Sequence, residues 1–298
     1  MSATPSLNGK VAVVAGASRG AGRGIAVALG AAGATVYVAG RTSIRGPKPV
    51  DAAPGTIEET ADEISRRGGT GIAVQVDCTD AEQVARLFAR VASEQPRLDV
   101  LANAVWGAAD AATSMDEWMA SWGTPFWDQP VTAWQHMMAA GPYAYFLMSA
   151  HALRLMVPRK RGLIVAVTDG YVEAAGQPAD PMAGGPLVWT LAHQSINLLM
   201  AGIRHETSKH KIAVVTLMPG FMRTERVVRM VTTEALKKQF GFDKSESTEY
   251  IGRAVAALAA DPRAAAKSGR IQFVADLAKE YGFTDADGRY VPRFNPFG

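Results

Sequence analysis

Short apolar runs alternate with longer segments of mixed polarity along most of the chain. The runs are rich in β-branched residues and have the length of strands, whereas the segments between them show the Ala-rich, amphipathic pattern of helices. The predicted strands are residues 11–15, 35–39, 72–76, 100–102, 163–167, 212–217 and 271–275. The predicted helices are residues 20–32, 57–67, 81–94, 131–157 and 187–208.

The predicted strands are apolar at successive positions rather than at every second one, which is typical of strands covered on both faces. Strands of this kind that alternate with helices predict an α/β fold: a single Rossmann-type, doubly wound parallel sheet of about seven strands with helices on both faces. No repeat, low-complexity tract or linker divides the 298 residues. The pattern therefore predicts one domain over residues 1–298.

Two segments interrupt this alternation. Residues 43–55 contain three prolines, which exclude a helix there. Residues 106–130 are long for a connecting loop in a compact domain, and long loops of this kind often carry function. We expect them to form an insertion on the substrate side of the fold.

The charge, the cysteine content and the apolar segments of the chain indicate its cellular compartment and the class of partner that it binds. The net charge is +3 and the Lys and Arg residues are scattered, so nothing favours a nucleic-acid partner. The single cysteine, Cys78, excludes an internal disulfide and fits a reducing compartment. The N-terminus lacks the pattern of a signal peptide, and no apolar stretch is long enough to span a bilayer. We therefore expect a cytoplasmic protein that acts on a small molecule, with no metal, membrane or nucleic acid involved.

A glycine-rich turn, residues 16–22, follows the first predicted strand and opens the first predicted helix. Gly16, Gly20 and Gly22 allow a tight turn and a close approach of the backbone to a phosphate. That phosphate would face the free N–H groups and the positive dipole end of the helix. The position between a strand and a helix makes this a specific signal for a nucleotide site. The alternative is that the glycines serve helix packing alone.

The second predicted strand ends in Gly40-Arg41-Thr42, where NAD-binding proteins often have an acidic residue. Arg41, together with Arg19 in the glycine-rich turn, would attract the 2′-phosphate of NADP(H). We therefore predict NADP(H) rather than NAD(H) as the cofactor. The alternative for either arginine is a solvated surface charge.

With these features, the chain resembles the short-chain dehydrogenase/reductase family over nearly its whole length. The matching segments are the turn 16–22, Asp77-Cys78, residues 98–104 and residues 219–224. The long loop after Asn103 and the run Met156-Val157-Pro158 look most like the dehydrogenase/reductase member 1 type, and residues 54–60 are similar to bacterial relatives of that group.

The resemblance implies a role in cofactor binding for each matching position. By this resemblance, the phosphates would contact Gly16, Ser18, Arg19, Gly20 and Ala21, and the 2′-phosphate would contact Arg41. The adenine would lie between Asp77 and Cys78, and the ribose and nicotinamide would lie against Asn103 and Ala104. The carboxamide would be covered by Pro219, Gly220 and Thr224.

The resemblance does not extend to the catalytic positions. The family uses an Asn, a Ser, a Tyr and a Lys, and by register this chain has Gly141, Asp169, Trp189 and His193 in their places. An indole N–H donates a hydrogen bond but has no usable proton to give. The usual proton transfer from a phenol to a carbonyl is therefore missing.

Three residues could replace part of that chemistry. His193 lies four positions after Trp189 on one helix face, and with a pKa ordinarily close to neutral it could donate a proton or bind the ribose. Asp169 ends the fifth predicted strand, where it would favour a cation or act as a base. Tyr171 could offer a phenol from a new direction. Each has a structural alternative: a partly buried histidine, a turn aspartate and a packed tyrosine.

All six tryptophans lie between residues 106 and 189, on segments that frame the substrate side in this family. Indole faces bind apolar rings and attract cations. We therefore predict that Trp106, Trp127 and Trp189 contact a bulky aromatic or cationic substrate, with Met182 as a deformable wall. The alternative is that several of them fill the core of an enlarged lid.

Three functions remain open from the sequence. The first is a non-standard NADP(H)-dependent reductase of a bulky imine, iminium or carbonyl compound, since an iminium needs no proton donor. The second is a non-redox enzyme, a cyclase, dehydratase or isomerase, with Asp169 and His193 as acid and base. The third is a catalytically silent NADP-binding protein. The apolar helices at about 131–157 and 187–208 also predict a homodimer or homotetramer.

Overall fold

The computed structural model describes residues 5–46, 48–49, 52–107, 117, 120, 124–169 and 186–294. The strands in these ranges are β1 (Val11–Ala15), β2 (Thr35–Gly40), β3 (Thr70–Gln75), β4 (Val100–Asn103), β5 (Gly162–Val167), β6 (Ile212–Met218) and β7 (Ile271–Phe273). They form one parallel sheet in the order β3-β2-β1-β4-β5-β6-β7. The predicted fold class and the predicted strand succession are thereby confirmed.

Helices connect successive strands. Those in the described ranges are α1 (Gly20–Ala31), α2 (Ile57–Arg66), α3 (Ala81–Glu94), α4 (Val131–Met138), α5 (Ala144–Met156), α6 (Leu187–Thr207), α7 (Glu225–Met230), α8 (Glu234–Gln239), α9 (Thr248–Ala260) and α10 (Val274–Tyr281). None of these helices is both long and apolar enough to cross a bilayer.

The sheet is buried on both faces, and alternate side chains of β1 enter different cores. Ala12 and Val14 of β1 pack with residues of α1, α2, α9 and α10. Val11, Val13 and Ala15 pack instead with residues of α3, α5 and α6. Continuous apolar strands are the sequence counterpart of this arrangement.

α1 and α9 cross at very short range on the first face. A Cβ at Gly24 would lie 1.7 Å from the Thr248 carbonyl oxygen, and one at Gly252 would lie 2.2 Å from the Gly24 oxygen. Both distances are far below van der Waals contact, so only glycine fits at either position. This close packing fixes α1, whose first turn borders the predicted nucleotide site.

The predicted single helix over 131–157 is wrong in its middle. α4 and α5 are separated by a π-turn, Ala139–Tyr143, in which Gly141 has the non-helical angles φ −98° and ψ −106°. Pro142 has no N–H to donate to the preceding turn, so an uninterrupted α-helix is disfavoured there. The break places Gly141 beside the Trp106 ring.

The C-terminal third contains helices that the hydrophobic pattern does not predict: α7, α8, α9 and α10. The predicted strand 271–275 stops at Phe273, because Val274 begins α10. The third strand lies at Thr70–Gln75 rather than 72–76. The predicted insertion at 106–130 lies largely outside the described residues.

The strand order places a crevice between β1 and β4. From β1 the chain proceeds to β2 and β3 on one side, and from β4 to β7 on the other. Ligands of open α/β sheets bind outside the carboxyl ends of the strands at such a reversal. The glycine-rich turn after β1, Asn103 at the end of β4 and Asp169 beyond β5 all lie at this edge.

Candidate active site

The glycine-rich turn brings backbone close to the start of α1. Gly16 has φ of +75°, and a Cβ there would lie 2.6 Å from the Ala104 carbonyl oxygen. A Cβ at Gly22 would lie 2.2 Å from the Gly16 oxygen. α1 begins at Gly20, and its N-cap residue, Arg19, makes no side-chain cap hydrogen bond. A helix start that its own N-cap residue leaves without a side-chain cap, reached by a turn of bare backbone, fits the phosphates of a nucleotide cofactor.

Polar groups at the ends of β3 and β4 lie at the same edge of the sheet as the glycine-rich turn and, together with it, form the candidate cofactor site. Oδ1 of Asp77 accepts the N–H of Thr79 at 2.9 Å, which shapes the turn after β3. Burial raises the pKa of the Cys78 thiol to about 12, so it stays neutral. Asn103 is fully buried, and its Nδ2 donates to Oγ of Ser149 at 3.2 Å. Its Oδ1 has no hydrogen-bond partner within the described ranges. A buried oxygen of this kind suits a ligand that donates to it.

The two predicted arginines have different surroundings. Arg19 donates from Nε to the Pro54 carbonyl at 3.1 Å and from Nη2 to the Gly55 carbonyl at 2.8 Å. It therefore holds the segment before α2 against the glycine-rich turn, a contact that the sequence does not predict. Arg41 follows β2, and its positive charge acts on the buried Cys78 thiol.

The loop 219–224, after β6, is held by a buried carboxyl group. The Gly220 N–H donates to Oε2 of Glu246 at 2.9 Å, and Met222 forms a parallel bridge with Glu246. Glu246 is 1% exposed, and burial raises its pKa to about 8. Its Oε1 has no partner in the part of the chain that the structure describes. Sequence reasoning missed Glu246, because Ser245-Glu246-Ser247 looks like an ordinary polar loop.

Asp169, Trp189 and His193 meet beyond the carboxyl end of β5. Nε1–H of Trp189 donates to Oδ2 of Asp169 at 3.0 Å. The backbone N–H of Asp169 donates to Nδ1 of His193 at 3.0 Å. α6 presents both rings one turn apart. The structure therefore brings together three of the residues that the sequence analysis singled out for catalysis or substrate binding.

Two indole rings enclose the His193 ring. The Trp106 ring stacks on it with centroids 4.2 Å apart, and Trp189 meets Trp106 edge to face at 4.8 Å. A Cβ at Gly141 would lie 3.2 Å from the Trp106 ring. A larger side chain at 141 would therefore crowd this indole. The absence of a side chain at Gly141 thus leaves room for the Trp106 ring.

The protonation state of His193 follows from its contacts. Burial lowers its pKa to about 3, so the ring is neutral near pH 7. Because Nδ1 accepts a backbone N–H, the proton of the neutral ring lies on Nε2. Nε2 is buried and has no partner among the described residues. The neutral ring argues against the predicted role as a proton donor and favours that of a hydrogen-bond donor.

Thr168 and Asn197 extend the cluster, and neither was predicted from the sequence. Oγ1 of Thr168 donates to Oδ1 of Asn197 at 2.8 Å, and both side chains are buried. Asn197 lies one turn after His193 on α6, so the helical spacing was the available signal. This hydrogen bond ties the end of β5 to α6 directly beside His193.

The other predicted site residues do not join this cluster in the described structure. Trp127 is 73% exposed, with its ring against Phe126. Tyr171 and Met182 lie outside the described residues. Their roles in catalysis and substrate binding stay predictions.

Comparison with known proteins identifies the family to which this arrangement belongs. The profile of the short chain dehydrogenase family matches residues 10–235. The chain belongs to the short-chain dehydrogenase/reductase family. Dehydrogenase/reductase SDR family member 1 of Mus musculus is 34% identical over 300 residues, covering 98% of this chain and 88% of the mouse protein. The Homo sapiens protein of that name is 34% identical over 293 residues, covering 96% and 86%.

A solved structure supports the fold of this family member. The crystal structure of a short chain dehydrogenase from Mycobacterium thermoresistibile superposes with a TM-score of 0.76 at 22% identity, covering 98% of this chain and 96% of that one. Short-chain dehydrogenases/reductases are oxidoreductases that use nicotinamide cofactors. The glycine-rich turn and the polar groups at the ends of β3 and β4 fit such a cofactor. The family resemblance predicted from the sequence is confirmed.

Proposed function

We propose that this chain is an NADP(H)-dependent reductase of bulky aromatic imine or iminium compounds, with hindered carbonyl compounds as a secondary substrate class. The observation that carries the proposal is the cluster of Asp169, Trp189 and His193, which offers a carboxylate and N–H donors but no acid near neutral pH. A reduced nicotinamide, when bound, would supply a hydride.

An iminium ion suits a cluster whose described residues offer no proton donor near neutral pH. Hydride addition forms the C–H bond while the C=N π electrons move to nitrogen, so the product is a neutral amine and no proton is needed. A carbonyl would become an alkoxide, and a carboxylate beside it would oppose that charge. The missing Tyr is therefore tolerable for an iminium ion, including an imine that is protonated before it binds. It is costly for a neutral imine or a carbonyl, each of which needs a proton after hydride addition.

Asp169 and the indoles would bind the cation before reduction. The Trp189 N–H stabilises the ionised form of the Asp169 carboxylate without cancelling its charge. The faces of Trp106 and Trp189 attract cations and apolar rings. The Nε2–H of His193 would donate to an oxygen of the substrate or the ribose. These residues bind and orient the substrate, and none of them transfers a proton.

The geometry gives less support to the two alternatives. An acid–base pair of Asp169 and His193 needs an imidazole that titrates near neutrality, but burial lowers the pKa of His193 to about 3. A silent binding protein would not need buried donors without partners in the described structure, such as Nε2 of His193 and Nε1 of Trp106. The reductase proposal uses both observations.

The proposal is tested by binding first and turnover second. Calorimetry with NADPH and NADH measures the cofactor site, and the absorbance of the reduced nicotinamide then follows turnover on matched pairs of aromatic iminium salts and ketones. We expect binding with NADPH preferred, and faster oxidation of NADPH by the iminium member of each pair. Product formation without NADPH oxidation would support a non-redox enzyme. Binding without any turnover would support a silent protein.

Arg41 is the residue that we propose for the 2′-phosphate, because it directly follows β2, where NAD-binding proteins often have an acidic residue. Arg41→Ala is expected to weaken NADPH binding by about tenfold to a hundredfold and NADH binding little, since a charge-assisted contact to the 2′-phosphate is lost. Arg19→Ala is the matched control, expected to weaken both cofactors alike. Equal losses for both cofactors in Arg41→Ala would contradict the assignment.

We also propose that the protein forms a homodimer or homotetramer through residues 131–156 and α6. Phe146 on α5 is 52% exposed and Leu198 on α6 is 75% exposed, which is unusual for large apolar side chains on long helices. The single, buried cysteine agrees with the cytoplasm as its location.

The double substitution Phe146→Glu and Leu198→Glu is expected to shift the protein to a monomer, because paired carboxylates would be buried in the interface. Light scattering coupled to gel filtration measures the mass. Val228→Glu, on α7, replaces a side chain of 52% exposure outside these helices and should leave the mass unchanged. An unchanged mass in the double variant would exclude this interface.

A further inference from the structure

The carboxylate of Glu225 caps the start of α1. The Gly20 N–H donates to Oε2 of Glu225 at 2.8 Å, although the two residues are 205 positions apart. α1 lacks a side-chain cap at Arg19 and has no acidic residue in its first turn. Glu225 therefore supplies, from another part of the fold, the negative charge that favours a helix N-terminus.

The surrounding structure holds Glu225 in this place. It is the first residue of α7, and Oγ1 of the preceding Thr224 accepts the Val227 N–H at 3.3 Å. The Thr224 methyl group would lie 3.7 Å from a Cβ at Gly20. The Arg223 N–H donates to the Glu246 carbonyl at 2.8 Å, and this hydrogen bond anchors the loop immediately before Thr224 and Glu225. The contact thus belongs to a packed loop rather than to a free surface side chain.

The phosphates of a dinucleotide require the same end of α1, where helix N–H groups and the dipole favour an anion. A carboxylate on Gly20 and a phosphate beside it would repel each other, and both need the N–H groups of one turn. We propose that Glu225 is a built-in competitor of the cofactor phosphates: it caps α1 in the ligand-free protein and must leave Gly20 when the cofactor binds. Glu225 thereby lowers the affinity for the dinucleotide.

This inference rests on the cofactor site of the proposed function and is independent of the substrate. It also predicts two effects of opposite sign for one substitution. Removing the charge of Glu225 weakens the cap of α1, so the ligand-free protein becomes less stable. The same change removes the repulsion, so the dinucleotide binds more tightly. A purely structural role would lower stability and would not raise affinity.

Glu225→Gln tests the proposal, with Glu234→Gln as the matched control. Glu234 is also the first residue of a short helix, is exposed, and pairs with Lys237 rather than with α1. Calorimetry with NADPH and NADP⁺ gives the affinity, and thermal unfolding gives the stability of each ligand-free protein. Glu225→Gln is expected to bind both nucleotides about fivefold to tenfold more tightly and to have a lower Tm. Glu234→Gln should change neither quantity.

The outcomes separate this inference from the proposed function. If the parent protein binds NADPH and Glu225→Gln binds it equally or more weakly, the competition is overturned while the cofactor site stands. A gain shared by Glu234→Gln would overturn it as well, because it would reflect net charge alone. Binding by Glu225→Gln but not by the parent would support the competition in its strongest form. If neither protein binds either nucleotide, both the competition and the NADP(H) site are overturned.

Discussion

Asp169→Asn is expected to lose at least about a hundredfold in turnover of an aromatic iminium substrate while binding NADPH as tightly as the parent protein. The carboxylate is the negative charge of the cluster, and it accepts the Nε1–H at the edge of the Trp189 ring. An amide of the same shape keeps the backbone N–H that fixes His193 but removes the charge that would hold the cation. The measurements are NADPH oxidation and calorimetry on the same preparations.

A neutral substrate provides the internal control for this variant. If Asp169 acts by binding a cation, turnover of a matched ketone should fall far less than turnover of the iminium salt. Trp189→Phe keeps an aromatic face but removes the N–H donor to Asp169, and it should give an intermediate loss. Wild-type turnover of the iminium salt in Asp169→Asn would remove the proposed role of Asp169. Equal losses on both substrates would show that the residue acts on the structure of the site instead.

The parallel sheet could be predicted because buried strands leave a local signal. Residues 11–15 are apolar at every position and residues 212–217 at every position but Thr216, and such short continuous runs are typical of strands covered on both faces. The ends of elements were less predictable. Val274 and Ala275 continue the apolar run of β7 but form the first turn of α10. The hydrophobic pattern alone does not separate these two states.

The helices after residue 224 were missed for different reasons. α7 and α8 are six residues each, too short for a helical period to be read. α9 is long, but its Ala and Gly content reflects the close approach to α1 rather than a clear apolar stripe. The break between α4 and α5 was, by contrast, available from the sequence, because Pro142 interrupts the helical pattern there.

The candidate site also contains residues that the sequence could predict and residues that it could not. The glycine-rich turn and the candidate residues Asp169, Trp189 and His193 could be located because each lies close to the end of a predicted strand or on a predicted helix. Glu225 and Glu246 could not, because their roles depend on contacts with Gly20 and Gly220 that only the folded chain brings together. Nor could the sequence predict that His193 is neutral, since its pKa is set by burial under the Trp106 ring.

In the parent protein, Glu246 is expected to make the free energy of unfolding fall as the pH rises. Glu246→Gln is expected to abolish this fall. In the folded protein, burial raises the pKa of Glu246 from its ordinary value of 4.5 to about 8, assisted by the charge of Asp285 and opposed by the Gly220 hydrogen bond and by Arg223. Between these two values the unfolded chain has lost this proton and the folded protein keeps it. The free energy of unfolding therefore falls as the pH rises from 4.5 to about 8, and this contribution is constant above that range.

A glutamine is neutral at every pH, so this component of the pH dependence disappears in the variant. The oxygen of its amide can still accept the Gly220 N–H, which keeps the loop 219–224 in place. Relative to the parent, Glu246→Gln should gain stability steadily between about pH 5 and about pH 8, with an upper limit of about 5 kcal/mol set by the difference between the two pKa values. Urea unfolding at both ends of this range measures the gain, and Glu234→Gln, which alters an exposed carboxylate, is the control. A stability difference that is the same at both pH values would mean that Glu246 is ionised in the folded protein. The loop 219–224 would then contact a negative carboxylate instead of the neutral carboxyl group that burial favours.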